Sequence, residues 1–169
     1  MNLQVLTDGS VELMSHTPDG DLLVVNAARC SFDKEHSEFD NEKDKRLINY
    51  LAREHHVLPF RHPNVTLRIT APIFVLRQLG KHQVGFSWSE VSRRYITGEP
   101  KFHSPVIWRE KADNVKQGST DTIHSDNKKW QDLNSFVVGE AVDLYNTMLE
   151  EGVAPEQARM ILPQSMYTT

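Results

Sequence analysis

The stretch Asn64-Val65-Thr66-Leu67-Arg68-Ile69-Thr70-Ala71-Pro72-Ile73-Phe74-Val75-Leu76-Arg77-Gln78-Leu79-Gly80 carries two periodicities in succession. Val65, Leu67 and Ile69 alternate with Thr66, Arg68 and Thr70. Successive side chains of a strand face opposite ways, so this alternation predicts a half-buried strand from Asn64 to Thr70. Pro72 then stands where a helix can start, because its φ is already helical and its missing N–H is not needed in a first turn. The helix carries Ile73, Phe74, Leu76, Arg77 and Gln78, and Gly80 and Gly85 weaken its far end. The fold class expected is therefore α+β, with helices packed on a twisted, mainly antiparallel sheet.

Toward the N-terminus, residues 3–32 read as two or three strands. Val11 and Leu13 are separated from the run Leu22-Leu23-Val24-Val25 by the turn signal Thr17-Pro18-Asp19-Gly20. Asp40-Asn41 is helix-capping material, and Leu47, Ile48, Leu51 and Ala52 share one face of a helix expected from about Glu42 to Arg53. Toward the C-terminus, residues 96–130 are polar and irregular and read as a long loop, with Trp108 and Trp130 as anchors. Asp132 to Glu151 is the clearest helix. Its apolar stripe is Leu133, Phe136, Val137, Leu144, Met148 and Leu149, with Gly152 at C′. A second helix runs from Pro155 at N1 to about Leu162, and Pro163 stops it.

Composition narrows the class. The chain has 169 residues, 38% hydrophobic and 25% charged, enough for one domain with a core, so residues 1–169 are read as a single domain. A net charge of −4 gives no basic field for nucleic acid. Apolar stretches such as Ala71 to Leu76 are too short to span a membrane, and the N-terminus has no secretory pattern. The single cysteine, Cys30, cannot form an internal disulfide, which fits a reducing, cytoplasmic setting. Cys30 itself reads as a small buried apolar residue.

The densest polar constellation lies just beyond the strand and helix. It runs Arg77-Gln78-Leu79-Gly80-Lys81-His82-Gln83-Val84-Gly85-Phe86-Ser87-Trp88-Ser89-Glu90-Val91-Ser92-Arg93-Arg94-Tyr95. Arg and Lys match phosphate oxygens, Arg through a bidentate fork. Glycines let backbone N–H groups approach an anion, and Gln78 and Gln83 can read the donor and acceptor edges of a base. Taken alone, these residues describe either a site for a phosphorylated ligand or a solvated helix face running into a polar strand.

The order of residues resembles the signature of the flavin-dependent thymidylate synthases, the ThyX family. Arg77-Gln78 opens it, Lys81-His82-Gln83 stands at its Arg-His-Arg, and Ser89-Glu90-Val91-Ser92-Arg93-Arg94-Tyr95 closes it. Asn26-Ala27-Ala28-Arg29-Cys30-Ser31-Phe32 is similar to the family's Ala-Ala-Arg-x-Ser-Phe strand end. His56-Val57-Leu58-Pro59-Phe60-Arg61-His62 is similar to its His-x-Ser/Thr-Pro-Phe-x-His turn, and Thr70-Ala71-Pro72-Ile73-Phe74-Val75 to the lead-in of its signature helix. Gly152-Val153-Ala154, Ala158-Arg159 and Ile161-Leu162-Pro163 resemble its Gly-x-Ala…Ala-Arg-x-x-Leu-Pro helix. The similar segments follow one another from about Leu3 to Thr169.

The resemblance implies a function: reductive methylation of dUMP to dTMP, with bound FAD, methylene-tetrahydrofolate as carbon donor and NADPH as reductant. It implies that Gln78, Glu90, Val91, Ser92, Arg93, Arg94 and Arg159 contact dUMP, with Arg94 and Arg159 on its phosphate. It implies that Ser31, His56, Lys81, His82, Gln83, Val84 and Glu90 line the FAD site. It further implies a homotetramer with shared active sites, and a helical stretch beyond Thr169 that this sequence does not contain. No residue is expected to act as a covalent catalyst; Ser92 has no activating base beside it in sequence. Lys81 and Gln83 replace two arginines, which removes bidentate phosphate contacts there. One residue more than usual separates Gln83 from Ser92. Ser89 stands where Asn is common, Leu58 where a small hydroxyl is common and Arg61 where Glu is common.

Rival readings are an inactive nucleotide-binding protein, one piece of a split enzyme, and a nucleic-acid module using Lys81, Arg93, Arg94 and Tyr95. His55, His56, His62, His82 and His103 match no zinc-ligand spacing, so no metal site is expected. Phe86, Trp88 and Tyr95 read as core or interface residues.

Overall fold

A computed structural model describes residues 2–4, 9–96, 98–113 and 118–169. They form two compact units: the described part of the first comprises residues 2–4 and 10–69, that of the second residues 9, 70–96, 98–113 and 118–169.

In the first unit, β1 (Asn2–Gln4) pairs antiparallel with β2 (Ser10–His16) in the register Leu3↔Val11. Then comes a helix, α1 (Gly20–Arg29), where the sequence reading placed a strand. The reason is physical. A run of four apolar residues shows no period, so it does not separate a strand from a buried helical turn. Ala27 and Ala28 favour helix, Asp21 sits well in its first turn, and only Val24 and Val25 of the run are fully buried. The Ala-Ala-Arg-x-Ser-Phe segment is accordingly a helix end followed by the 3₁₀ turn Cys30–Phe32, not a strand end. Cys30 is exposed, contrary to the expectation of a buried thiol.

Helix α2 (Lys43–Arg53) starts within a residue of its expected position. Asp40 caps its approach: Oδ1 accepts from the amides of Glu42 and Lys43, each at 2.9 Å. Leu51 of α2 joins Val24 and Val25 in the buried core. A second 3₁₀ turn, Pro59–Arg61, leads to β3 (Val65–Pro72), which begins beside β2. Arg68 of β3 meets Glu12 of β2 at 3.1 Å.

In the second unit, the end of β3 pairs antiparallel with β6 (Tyr167–Thr168) through Ala71↔Thr168 and Pro72↔Tyr167. Helix α3 (Ile73–Leu79) follows directly, as the sequence predicts. Its first amides have no side-chain cap. Instead Ile73 donates to the carbonyl of Met166 (2.9 Å) and Phe74 to that of Gln164 (3.1 Å). The C-terminal segment thus satisfies two of the orphan donors of α3.

Residues 96–130 do not form an irregular loop. They contain the antiparallel ribbon β4 (Arg109–Lys111) and β5 (Ser119–Ile123); positions 97 and 114–117 lie outside the described residues. Helix α4 runs from Asn127 to Glu150, starting before the expected Asp132. Gly152 closes it at φ 84°, with Val153 donating to Met148 and Gly152 to Leu149. That is the Schellman pattern. Pro155 opens α5 (Pro155–Ala158), which tightens into the 3₁₀ turn Arg159–Ile161 before Pro163. The core of this unit is Tyr145, Ala158, Ala71 and Met166. The stripe predicted on α4 lies largely in the open: Leu133, Phe136, Val137 and Leu144 are exposed, and Phe136 retains 63% of its surface.

Candidate functional site

Helix α3 delivers the signature. Arg77 and Gln78 lie exposed on its last turn. Gly80 donates to the Leu76 carbonyl at 2.8 Å, and a Cβ there would meet that same oxygen at 3.3 Å, so the turn leaves little room for a side chain. Beyond it, residues 81–95 run without helix or strand, held by short backbone turns. Lys81 donates to Gln78, His82 to Leu79, and Phe86 to Gln83 across Gly85 at φ 78°. Lys81, His82, Gln83 and Val84 are all exposed, Val84 to 80%. Phe86 and Trp88 are also exposed and stack on each other, centroids 5.5 Å apart and 6° from parallel. They are surface residues of this chain, not part of its core.

The closing segment is better anchored. The Val91 amide donates to the carbonyl of Thr169 at 2.9 Å, and the Tyr95 amide to Ser92 at 3.0 Å. The Ser92 hydroxyl accepts from Arg94 Nε at 3.2 Å, and the Arg94 guanidinium lies 5.1 Å over the Tyr95 ring. Arg93 turns elsewhere: Nη1 donates to the Gly98 carbonyl at 2.6 Å, and its guanidinium lies 6.0 Å from the centre of the Tyr145 ring. Val91 and Arg93 line a cavity of about 230 Å³ with Thr70, Lys101, Tyr167 and Thr169. Arg159 is exposed on the 3₁₀ turn after α5.

The C-terminal segment connects these pieces. It pairs with the end of β3, receives the first amides of α3 and accepts from Val91. The structure therefore brings Val91, Ser92, Arg93 and Arg94 onto one segment with Thr169. No side-chain hydrogen bond or ion pair among the described residues joins Gln78, Lys81, His82, Glu90 or Arg159 to it.

Some cations of the chain are paired and others are not. Arg29, Lys43, Arg53, Arg68, Arg109 and Lys128 each meet a carboxylate. Arg77, Lys81, Arg93, Arg94 and Arg159 meet none among the described residues, and neither do Lys34, Lys45, Arg46, Arg61, Lys111 and Lys129, so what sets the signature apart is the close spacing of its cations. The signature and the Arg159 turn thus carry uncompensated positive charge in a chain whose net charge is −4. Such charge favours an anionic ligand.

In the first unit, Ser31 is exposed on the 3₁₀ turn after α1. His56 is exposed after α2; its amide donates to Leu51 at 2.8 Å and its ring tilts against Tyr50 at 6.1 Å. A cavity of about 810 Å³ in this unit is lined by His16, Asp19, Glu38, Phe39 and Asn64, none of them predicted as site residues. Sequence reasoning missed the ion pair that organises the turn beside Ser31. Arg29 Nη2 meets Asp44 Oδ1 at 2.6 Å, and the Asp44 carboxyl also accepts the Asp40 amide. It also missed Tyr145, whose spacing on α4 gives no sign of a partner in the signature.

The family described as "Thymidylate synthase complementing protein" matches residues 12–169. The chain belongs to this family. It is 39% identical over 168 residues to a flavin-dependent thymidylate synthase of Thermotoga neapolitana, covering 99% of this chain and 71% of that one. It is 39% identical over 176 residues to another from Streptomyces avermitilis, covering 96% and 70%. Among solved structures it is similar to the UMP/dUMP methylase PolB from Streptomyces cacaoi bound with 5-Br dUMP. There the identity is 32% and the TM-score 0.77, over 96% of this chain and 71% of that one. Membership of the flavin-dependent thymidylate synthase family agrees with the mixed helix and antiparallel-strand architecture. No described helix is long and apolar enough to cross a membrane.

Proposed function

We propose that this chain catalyses the flavin-dependent reductive methylation of dUMP to dTMP, using FAD, methylene-tetrahydrofolate and NADPH. The observation that carries the reading is the close run of cations without carboxylate partners at Arg77, Lys81 and Arg94 in the family signature, matched by Arg159 in the family's Ala-Arg segment. Cations without carboxylate partners suit phosphate oxygens, and both ligands carry phosphate. In this reading Arg94 and Arg159 hold the dUMP phosphate and Ser92 hydrogen-bonds beside it. Gln78, Glu90, Val91 and Arg93 complete the pyrimidine nucleotide site. Lys81, His82, Gln83, Val84 and Glu90, with Ser31 and His56, hold FAD.

The donor set fits those groups: exposed cations for the pyrophosphate, and exposed hydroxyl and imidazole groups for the rings. Bound flavin supplies hydride chemistry that no side chain offers. The chain's own residues bind, orient and neutralise charge. Ser92 is a hydrogen-bond partner and not a nucleophile, since its hydroxyl accepts from a guanidinium and no base among the described residues hydrogen-bonds to it.

We further infer that residues 1–169 act as one functional domain in a cytoplasmic homotetramer whose subunits share their sites. The exposed apolar face of α4 supports self-association.

The test is reconstitution. Purified chain with FAD, methylene-tetrahydrofolate, NADPH and dUMP should form dTMP, and UMP in place of dUMP gives the substrate comparison. Flavin retention without any dUMP-dependent product would contradict the enzyme reading.

A further inference from the structure

Two neighbouring arginines of the signature point to different places. Arg94 is exposed, with its guanidinium over Tyr95 and its Nε on the Ser92 hydroxyl. Arg93 is half-buried and held from two sides. Its Nη1 donates to the Gly98 carbonyl at 2.6 Å, and its guanidinium sits 6.0 Å from the centre of the Tyr145 ring. Tyr145 is 1% exposed and is the one buried residue of α4, so this seat is fixed by the core. A guanidinium on an aromatic face keeps its charge while shedding water on one side. The same short segment is clamped once more, by Val91 on the Thr169 carbonyl.

We propose that Arg93 is a positioning residue. Seated on Tyr145 and tied to Gly98, it holds the Ser92–Tyr95 turn so that Ser92 and Arg94 face the nucleotide phosphate, while its own guanidinium does not bind it. The proposal rests on the dUMP reading above and changes the role of one residue in it. The turn geometry accompanies the division of labour. Within the turn closed by the Tyr95 amide on Ser92, Arg93 reaches the helix while the Ser92 and Arg94 side chains meet each other away from it. The Tyr145 hydroxyl is buried without a hydrogen-bond partner, so the ring and not the oxygen makes the seat.

The test uses the full chain with dUMP titrated calorimetrically, and amide exchange measured on the free protein. Arg93→Ala and Tyr145→Leu should each weaken dUMP binding about tenfold, which is about 1.4 kcal/mol. The double variant should be no weaker than either single, because both remove one contact. Tyr145→Phe should bind within about twofold of the parent, since the ring face remains. In Arg93→Ala the Tyr95 amide, bonded to Ser92, should exchange about tenfold faster while that of Val91 is unchanged. If Tyr145→Leu does not fold, Arg93→Ala decides through these same two readouts.

Unchanged exchange at Tyr95 in Arg93→Ala overturns the brace. Weakening by Arg93→Ala with none from folded Tyr145→Leu makes Arg93 a direct ligand and also overturns it. Should Arg94→Ala abolish binding while Arg93→Ala binds like the parent, the nucleotide reading stands and the positioning role fails. A parent chain that takes up no dUMP defeats the nucleotide reading and this role together; faster Tyr95 exchange would then mark a purely structural contact.

Discussion

Arg29 and Asp44 form the tightest charged contact in the first unit, Nη2 to Oδ1 at 2.6 Å, with the carboxylate 0% exposed and the guanidinium 18%. The pair ties the end of α1 to the start of α2 and so frames the turn that carries Ser31. Removing one partner of a covered ion pair leaves the other charge uncompensated. Arg29→Ala should therefore cost about 3 kcal/mol in urea unfolding, toward the lower end for buried pairs because the Arg29 side chain is itself partly exposed. A loss below about 0.5 kcal/mol, ordinary for exposed pairs, would show that the contact carries no load.

The same carboxyl sets an acid limit. The Arg29 hydrogen bond holds Asp44 below its ordinary pKa of 3.8, burial opposes this only in part, and the Asp40 amide and the Arg29 and His36 charges add to it. Asp40 is lowered too, by the amides of Lys43 and Glu42. A folded pKa below the unfolded one means stability that is complete above the unfolded value and drains as pH falls through the folded one. Urea midpoints should hold down to about pH 5 and fall below about pH 4, and the fall should be shallower in Asp44→Asn. Parallel curves for parent and variant would contradict the assignment.

Arg94→Ala should weaken dUMP binding at least tenfold and leave FAD binding within about twofold, the loss expected for one charge-assisted hydrogen bond. Dissociation constants for each ligand, measured separately, check this. Equal losses for both, or for neither, would move Arg94 out of the phosphate site.

The exposed face of α4 gives a prediction about assembly. Phe136→Glu places a charge in the middle of an apolar patch that includes Leu133, Val137 and Leu144. Sedimentation should show the assembly shifting to smaller species while the monomer stays folded, since the position touches little in its own chain. An unchanged oligomer would mean that this face lies outside the interface.

Much of this was legible in the chain itself, for identifiable reasons. The passage from β3 to α3 was readable because Val65–Thr70 alternates and Pro72 marks the change of period. Gly152 and Pro155 were readable because their positions answer to backbone chemistry alone. Helix α1 was not, because Leu22–Val25 fits either element and burial made the choice. The β4–β5 ribbon was hidden because most of its residues are polar and its pairing is set between two separate stretches of chain. The signature declared its charge and order, but not its supports. Thr169 under Val91, the carbonyls of Gln164 and Met166 capping α3, and Tyr145 under Arg93 are tertiary contacts with no local trace.

The most direct test of the central claim, that the segment 77–95 holds a pyrimidine monophosphate beside a flavin, is a titration of FAD-loaded chain followed by flavin absorbance. A saturable change in the flavin spectrum is expected with dUMP, and none with deoxyuridine at the same concentrations. A flavin spectrum indifferent to dUMP, or one that responds equally to the nucleoside without phosphate, would contradict it.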